Sequence, residues 1–317
     1  MQTKNDMVST WAEKILKQLR GVVVGKDSVL LWTLAAILAK GHILLEDIPG
    51  VGKTTMALSF SRVLSLQYNR VQFTPDVLPS DITGYNVLNQ NDGCMVYRPG
   101  AVLCNMFLAD ELNRASSRTQ SALLEAMEEG QVTVDGKTYP IPKPFVVIAT
   151  QNPTGAAGTQ LLPDSQMDRF IVRLSLGYPT PKNEVEMVMS RQSGNPLDEL
   201  SPLLTREQLE SLQELVFQTY VSEAVVKYIV DLISETRKHE QVIRGASPRA
   251  TLAVTAMAKS IAQLRGRDYV IPQDVKEVFV TTIAHRLLLT PKAEGQGVTA
   301  EQILEAILER VSAPRLR

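Results

Sequence analysis

Ile43-Leu44-Leu45-Glu46-Asp47-Ile48-Pro49-Gly50-Val51-Gly52-Lys53-Thr54-Thr55 joins an apolar run of strand length to a Gly-Pro loop, and a helical run from Met56 follows at once. Strand, tight loop and helix are the context that a phosphate-binding loop requires. Gly50 and Gly52 allow the backbone to aim its N–H groups at an anion with no side chain in the way. Lys53 is placed to reach the β- and γ-phosphates of a nucleotide, and the Thr54 hydroxyl to take a position on Mg²⁺. The plain alternative is an ordinary strand-turn-helix connection with a surface lysine. It does not account for Pro-Gly-x-Gly-Lys-Thr-Thr at this place. The general motif begins with Gly five residues before the second Gly, and this chain has Asp47 there.

The surrounding chain has 317 residues, enough for two domains. Hydrophobic residues make up 44% and charged residues 21%, which predicts a packed globular core. A formal net charge of −1 gives no electrostatic reason for tight binding to a nucleic-acid backbone or an anionic membrane. Residues 1–11 are polar and lack the apolar centre of a secretion signal, and the apolar run 29–39 is too short to span a bilayer. A cytoplasmic protein with no direct membrane insertion is expected. Cys94 and Cys104 have no metal-site spacing, and His42, His239 and His285 are scattered.

Residues 7–20 read as an amphipathic helix stopped by Gly21, and Asp27 is placed to cap a helix over 28–40. Residues 42–46 are the first strand. The helix after the phosphate loop runs to about Ser65, and 70–73 form a second strand. Residues 74–98 are polar and turn-rich, with Asn91-Asp92-Gly93 as a hairpin turn, and read as an insertion. A third strand over 104–109 ends in Asp110-Glu111. Ser117 and Gln120 have capping-box spacing for a helix that Gly130 terminates. Residues 131–139 carry a second hairpin signal at Asp135-Gly136. The nearly all-apolar run 145–150 predicts a central strand buried on both faces. A short helix over 161–167 and a fifth strand over 169–176 follow. Strands alternating with helices predict an α/β core, a five-stranded parallel sheet covered on both sides, over residues 1–178. After the Tyr178-Pro179-Thr180-Pro181 linker, residues 179–317 read as an all-helical lid domain with its own core and no strand.

In an open parallel sheet, ligands sit beyond the carboxyl ends of the strands. Those ends carry the phosphate loop, Asp110-Glu111 and Asn152. Asp110 suits Mg²⁺, and Glu111 suits polarising a water for attack on a γ-phosphate. Asn152 suits a hydrogen bond to phosphate and water, and equally the geometry of a turn before Pro153.

With these residues in place the chain resembles the AAA+ ATPases, and within them the MoxR branch. The resemblance rests on residues 46–54, Leu108-Ala109-Asp110-Glu111-Leu112-Asn113-Arg114-Ala115, residues 121–129, Ala149-Thr150-Gln151-Asn152-Pro153, Met167-Asp168-Arg169-Phe170 and Gly245-Ala246-Ser247-Pro248-Arg249-Ala250. These occur in family order through nearly the whole chain, and Asp47 looks normal for the branch. The resemblance implies ATP and Mg²⁺ as ligands and hydrolysis of ATP. It implies a nucleotide cradle of Pro49, Gly50, Val51, Gly52, Lys53, Thr54 and Thr55, with adenine near Val24 and Gly25 and the metal on Thr54 and Asp110. Glu111 looks like the Walker B glutamate, Asn152 like sensor 1, Arg249 like sensor 2 and Arg169 like an arginine finger acting on a neighbour's nucleotide. Arg114, Arg118 and Arg173 are rivals for that last role, and a salt bridge from Arg169 to Asp168 is the plainer reading. The resemblance further implies a homo-oligomeric, hexameric ring with two pore-facing insertions, and chaperone-like work on protein complexes with von Willebrand A-domain partners.

Ser247 is a good N-cap and Pro248 a good first helical residue, so Arg249 opens a helix where its charge opposes the dipole; an anionic partner would offset that cost. The alternative function is a DNA-translocating or DNA-loading ATPase of a related branch. The hairpin tip Asp135-Gly136-Lys137, with one charge of each sign and no aromatic platform, is poor for that task. A nucleotide-regulated scaffold with little turnover sits badly with an intact Glu111, Asn152 and Arg169. No Asn-Lys-x-Asp sequence occurs to read guanine.

Overall fold

A computed structural model describes residues 4–90, 93–152, 162–192 and 194–315. Asn91 and Asp92 of the anticipated turn, Pro153, and Leu161 at the head of an expected helix lie outside these residues. In chain order the core comprises α1 (Lys4–Arg20), α2 (Asp27–Leu38), β1 (Ile43–Glu46), α3 (Lys53–Val63), β2 (Tyr68–Gln72), α4 (Pro79–Thr83), β3 (Gly84–Leu88) and β4 (Met95–Pro99). It continues with β5 (Met106–Asp110), α5 (Ser117–Glu129), β6 (Gln131–Val134), β7 (Lys137–Pro140), β8 (Val146–Gln151), α6 (Asp164–Met167) and β9 (Val172–Leu174). The lid region contains α7 (Pro181–Ser190), α8 (Arg206–Phe217), α9 (Glu223–Lys238), β10 (Val242–Arg244), α10 (Pro248–Leu264), α11 (Pro272–Ile283), β11 (Leu288–Leu289), α12 (Pro291–Gly295) and α13 (Ala300–Arg310).

The five main strands pair in parallel in the order β2-β5-β8-β1-β9. Their side chains alternate between two cores, as the period of two requires. Ile43, Leu45, Met106, Leu108, Val146 and Ile148 face α1, α2 and α3. Leu44, Phe107, Ala109, Val147 and Ala149 face the side of α5 and the hairpins. β1, β5 and β8 are covered on both faces, which is why their sequences are almost wholly apolar.

Local signals hold with small shifts. Gly130 ends α5 in the left-handed region at φ 63°, and the boxes at Thr205/Gln208 and Thr299/Gln302 both form. Asp27 lies inside α2, next to the N-cap residue Lys26, and the cap of α5 is Ser116, not Ser117. β9 is shorter than the expected fifth strand, and Arg169 precedes it.

Two expectations for the second half need correction. It contains strands: β10 and β11 pair antiparallel, and Tyr220 bridges Tyr269. Each segment is two or three residues long, too short for a period-two pattern to register. Nor do these helices enclose a core of their own. Residues of α8 to α11 and α13 belong to the same apolar cluster as α1, α2 and α3. Gln213 and Ser260 donate to the carbonyls of Ile37 and Ala35 at 2.7 and 2.9 Å, so α8 and α10 are tied to α2.

The two hairpin insertions form one unit. β3 pairs with β4 and β6 with β7. Tyr97 and Tyr139 stack across them with centroids 3.7 Å apart, and Asn86 donates to Asp135 at 2.7 Å. Among the described residues no helix is long and apolar enough to cross a membrane.

Candidate active site

The parallel register brings the carboxyl ends of β1, β5 and β8 to one level: Glu46 lies opposite Gln151 and Ala109 opposite Ala149. Beyond them is a cavity of about 370 Å³ lined by Pro49, Gly50, Gly52, Lys53, Thr54, Thr55, Arg70, Gln72, Asp110, Glu111 and Asn152. Gly50 and Gly52 adopt φ 85° and 100°, with open space where a Cβ would stand. Glycine is needed there for its backbone, and the first residues of α3, Lys53, Thr54 and Thr55, line the cavity, where a helix leaves its N–H groups unpaired. Lys53 is buried and donates to the Asp47 carbonyl at 2.8 Å. Burial pushes its pKa down, opposed by Asp47, Asp110 and Glu111.

Asp47, the departure from the general motif, has a structural task. Its carboxylate accepts from the Ser175 hydroxyl at 2.7 Å and the backbone N–H groups of Leu176 and Gly177 at 2.6 and 2.9 Å. Lys26 donates to the carbonyls of Gly177 and Tyr178 from the other side. The strap after β9 is thereby held between the phosphate loop and the turn containing Val24 and Gly25. Gly25, at φ 70°, sits against Asn183 of α7, where a Cβ would collide. Val24, Gly25 and Val51 lie outside the lining of the phosphate cavity.

The two acidic residues after β5 are differently held. Asp110 accepts from Thr150 at 2.7 Å and pairs with Arg70 at 2.7 Å. Glu111 sits at φ 56°, uncommon for a residue with a side chain. Its N–H donates to Thr150 Oγ1 at 2.8 Å, and its carbonyl accepts from Arg114 N. The Glu111 carboxylate accepts from Asn152 Nδ2 at 3.3 Å and pairs with Arg114 at 2.8 Å. Asn152 Oδ1 is buried with no partner among the described residues, a polar atom left for a ligand of the cavity. Sequence reasoning missed Arg70 and Gln72. Strand β2 pairs with β5 so that Gln72 lies opposite Asp110, a fact of register that a single strand sequence does not carry.

The structure does not bring Arg169 and Arg249 to this cavity. Both pair with one carboxylate, Glu128, in the last turn of α5. Arg169 also donates to the Leu124 carbonyl at 2.9 Å. With His42 and Met127 these residues line a separate cavity of about 170 Å³. His42 immediately precedes β1, and the phosphate loop follows it, so the two cavities lie at opposite ends of the same strands. The length of β1 with its flanking residues puts roughly 16 Å between them. The Asp168 carboxylate does not pair with Arg169. It accepts from Ser247, the cap of α10, at 2.9 Å, and from the buried Arg286 at 2.8 Å. Arg286 also donates to the Phe170 carbonyl at 2.8 Å, which locks the Arg169 loop to the lid. Of the rival arginines, Arg173 is held between Glu46 and Glu301, Arg114 is on Glu111, and Arg118 is exposed.

A larger cavity of about 720 Å³ adjoins the arginine end. Five glutamates and two lysines line it, an unsuitable setting for phosphates.

Fold and site together define a P-loop ATPase. Residues 42–172 match the family described as "ATPase family associated with various cellular activities (AAA)", and 234–307 match the "AAA lid domain". The chain is 43% identical to the "Uncharacterized protein YeaC" of Bacillus subtilis, over 95% of this chain and 94% of that one. It is 40% identical to "Chaperone MoxR1" of Mycobacterium tuberculosis, over 96% and 82%. A crystal structure from Cytophaga hutchinsonii, of a protein described there as a candidate ATPase, superposes with a TM-score of 0.89 at 35% identity, covering 98% and 97%. The chain belongs to the MoxR family of AAA+ ATPases, and it is an ATP hydrolase.

Proposed function

We propose that this chain works as a hexameric, ATP-driven chaperone in the cytoplasm, in which each nucleotide is bound by one subunit and completed by the next. The observation that carries this is the placement of Arg169 and Arg249 at the opposite end of the strands from Lys53. A cation held there cannot serve its own subunit's phosphates, but it can serve those of a neighbour.

In this reading Lys53 and the N–H groups of the loop and α3 bind the phosphates, with the base near Val24 and Gly25. Thr54 and Asp110 would hold Mg²⁺, which when bound supplies charge neutralisation on the phosphates. Glu111 takes the proton of the attacking water, and Asn152 orients that water and the phosphate. Arg70 keeps Asp110 in place. Arg169 and Arg249 of the neighbour stabilise the transferred charge. The clients are protein complexes, with von Willebrand A-domain proteins as partners. Both ends of the β6–β7 tip are occupied: Asp135 by Asn86, and Lys137 by the Tyr139 ring at 5.5 Å. Such a tip offers little to a nucleic acid.

Subunit mixing tests the reading. Lys53→Ala and Arg169→Ala proteins, each inactive alone, are expected to regain partial ATPase activity when mixed, because some interfaces pair an intact loop with an intact arginine. Absence of recovery in mixed assemblies of confirmed size rejects action between subunits.

A further inference from the structure

We propose that Glu128 is a resident counter-ion of the two-arginine cluster, holding the place that a neighbouring subunit's nucleotide phosphate takes on assembly. The inference rests on the proposed action between subunits and adds to it the group that must be displaced.

Glu128 is the one carboxylate on which Arg169 and Arg249 converge, each pairing with a different oxygen. Two guanidinium groups brought together repel unless an anion lies between them. Arg249 also stands in the first turn of α10, at the positive end of its dipole, which adds to the demand for an anion. Glu128 is itself in an unfavourable place: the last turn of α5 presents the negative end of a helix dipole, and Glu129 is next to it. Each partner offsets the other's local cost. His42, the remaining titratable side chain lining this cavity, supplies no charge at neutral pH. Burial takes its pKa down to about 4, and both ring nitrogens are engaged, with Met127 O and Val147 N.

The pairs are also accessible. The side chains of Arg169, Arg249 and Glu128 are 29%, 44% and 40% exposed, and the adjoining cavity opens beside them. Asp168 and Arg286 fix the backbone under both arginines, through Ser247 on one side and Phe170 on the other. The backbone is therefore set while the terminal ion pairs remain exchangeable. A phosphate oxyanion carries more charge than a carboxylate and offers several oxygens to two guanidinium forks. It can displace Glu128, at the cost of breaking both pairs.

The test is Glu128→Gln, which keeps the shape and removes the charge. With the competing anion gone, the apparent KM for ATP of assembled protein is expected to fall about fivefold, the worth of two partly exposed ion pairs. Turnover at limiting ATP is expected to rise, and half-maximal activity to be reached at lower protein concentration. Glu128→Ala should move all three quantities in the same direction, with thermal melts confirming that each variant is folded. An unchanged or raised KM, or a fall in turnover at limiting ATP in folded, assembled variants, overturns the proposal and makes Glu128 a positioning residue. The mixing experiment separates the two levels: if mixing fails, action between subunits falls. If mixing succeeds and Glu128→Gln leaves KM alone, only the counter-ion role falls.

Discussion

The two ends of the central sheet solve opposite electrostatic problems. At the carboxyl ends, carboxylates and a lysine face one cavity, and every carboxylate there already has a partner: Arg70 and Thr150 on Asp110, Arg114 and Asn152 on Glu111. At the amino ends, two arginines share one glutamate. The first end has donors in excess of anions, through its lysine and its free helix N–H groups, and is built to receive a polyanion. The second has two guanidinium groups sharing a single carboxylate, an excess of cation over anion. The two ends line separate cavities, and the same strands keep them apart. This separation is what the proposed action between subunits requires.

Substitutions at the two ends should therefore fail in different ways. Arg169→Ala, at the arginine end, should lower turnover by about 10³–10⁵-fold, the usual worth of such a cation, with ATP affinity of assembled protein weakened by only about fivefold. Single-turnover hydrolysis combined with calorimetry checks this, and near-normal turnover in assembled protein would move the role to Arg118. Glu111→Gln, at the phosphate end, removes the base and keeps the shape. It should cost about 10²–10⁴-fold in hydrolysis with binding retained. Lys53→Ala should instead lose affinity, by roughly 10–100-fold for a charge-assisted contact, measured with a non-hydrolysable ATP analogue.

The last effect is on stability rather than on activity, and it concerns the arginine end. His42 joins the last turn of α5 to β8, through Met127 O at 3.1 Å and Val147 N at 3.0 Å, and must be neutral to accept from the latter. Its pKa is about 4 when folded and near 6.5 when unfolded. Between those values the unfolded chain binds the proton and the folded chain does not, so stability falls as pH drops through that window. The loss is up to about 3 kcal/mol. His285, shifted in the same direction by burial, adds to the slope. Denaturant midpoints from pH 7 to 4.5 should show the decline, and His42→Gln should flatten part of it. An unchanged slope in that variant would remove His42 as its source.

The sequence by itself determined the phosphate loop, the strand-helix alternation and the acidic strand end. Each depends on neighbours in the chain: glycines that permit φ 85° and 100°, an apolar run of strand length, and cap residues that satisfy their own helix. Family order named Glu111, Asn152, Arg169 and Arg249 without placing them. Tertiary structure decided the rest, because it depends on register and on packing between distant segments. It placed Arg70 beside Asp110 through the pairing of β2 with β5, and turned Asp47 into the anchor of the 175–177 strap. It merged the lid with α1 and α2 into one core, and gave the lid a strand pair too short to leave a pattern. Above all, it put Arg169 and Arg249 on Glu128, beside a cavity separate from that of the phosphate loop. A charge pair between residues 41 and 121 positions apart follows from how helices pack on a sheet, and no local spacing encodes it.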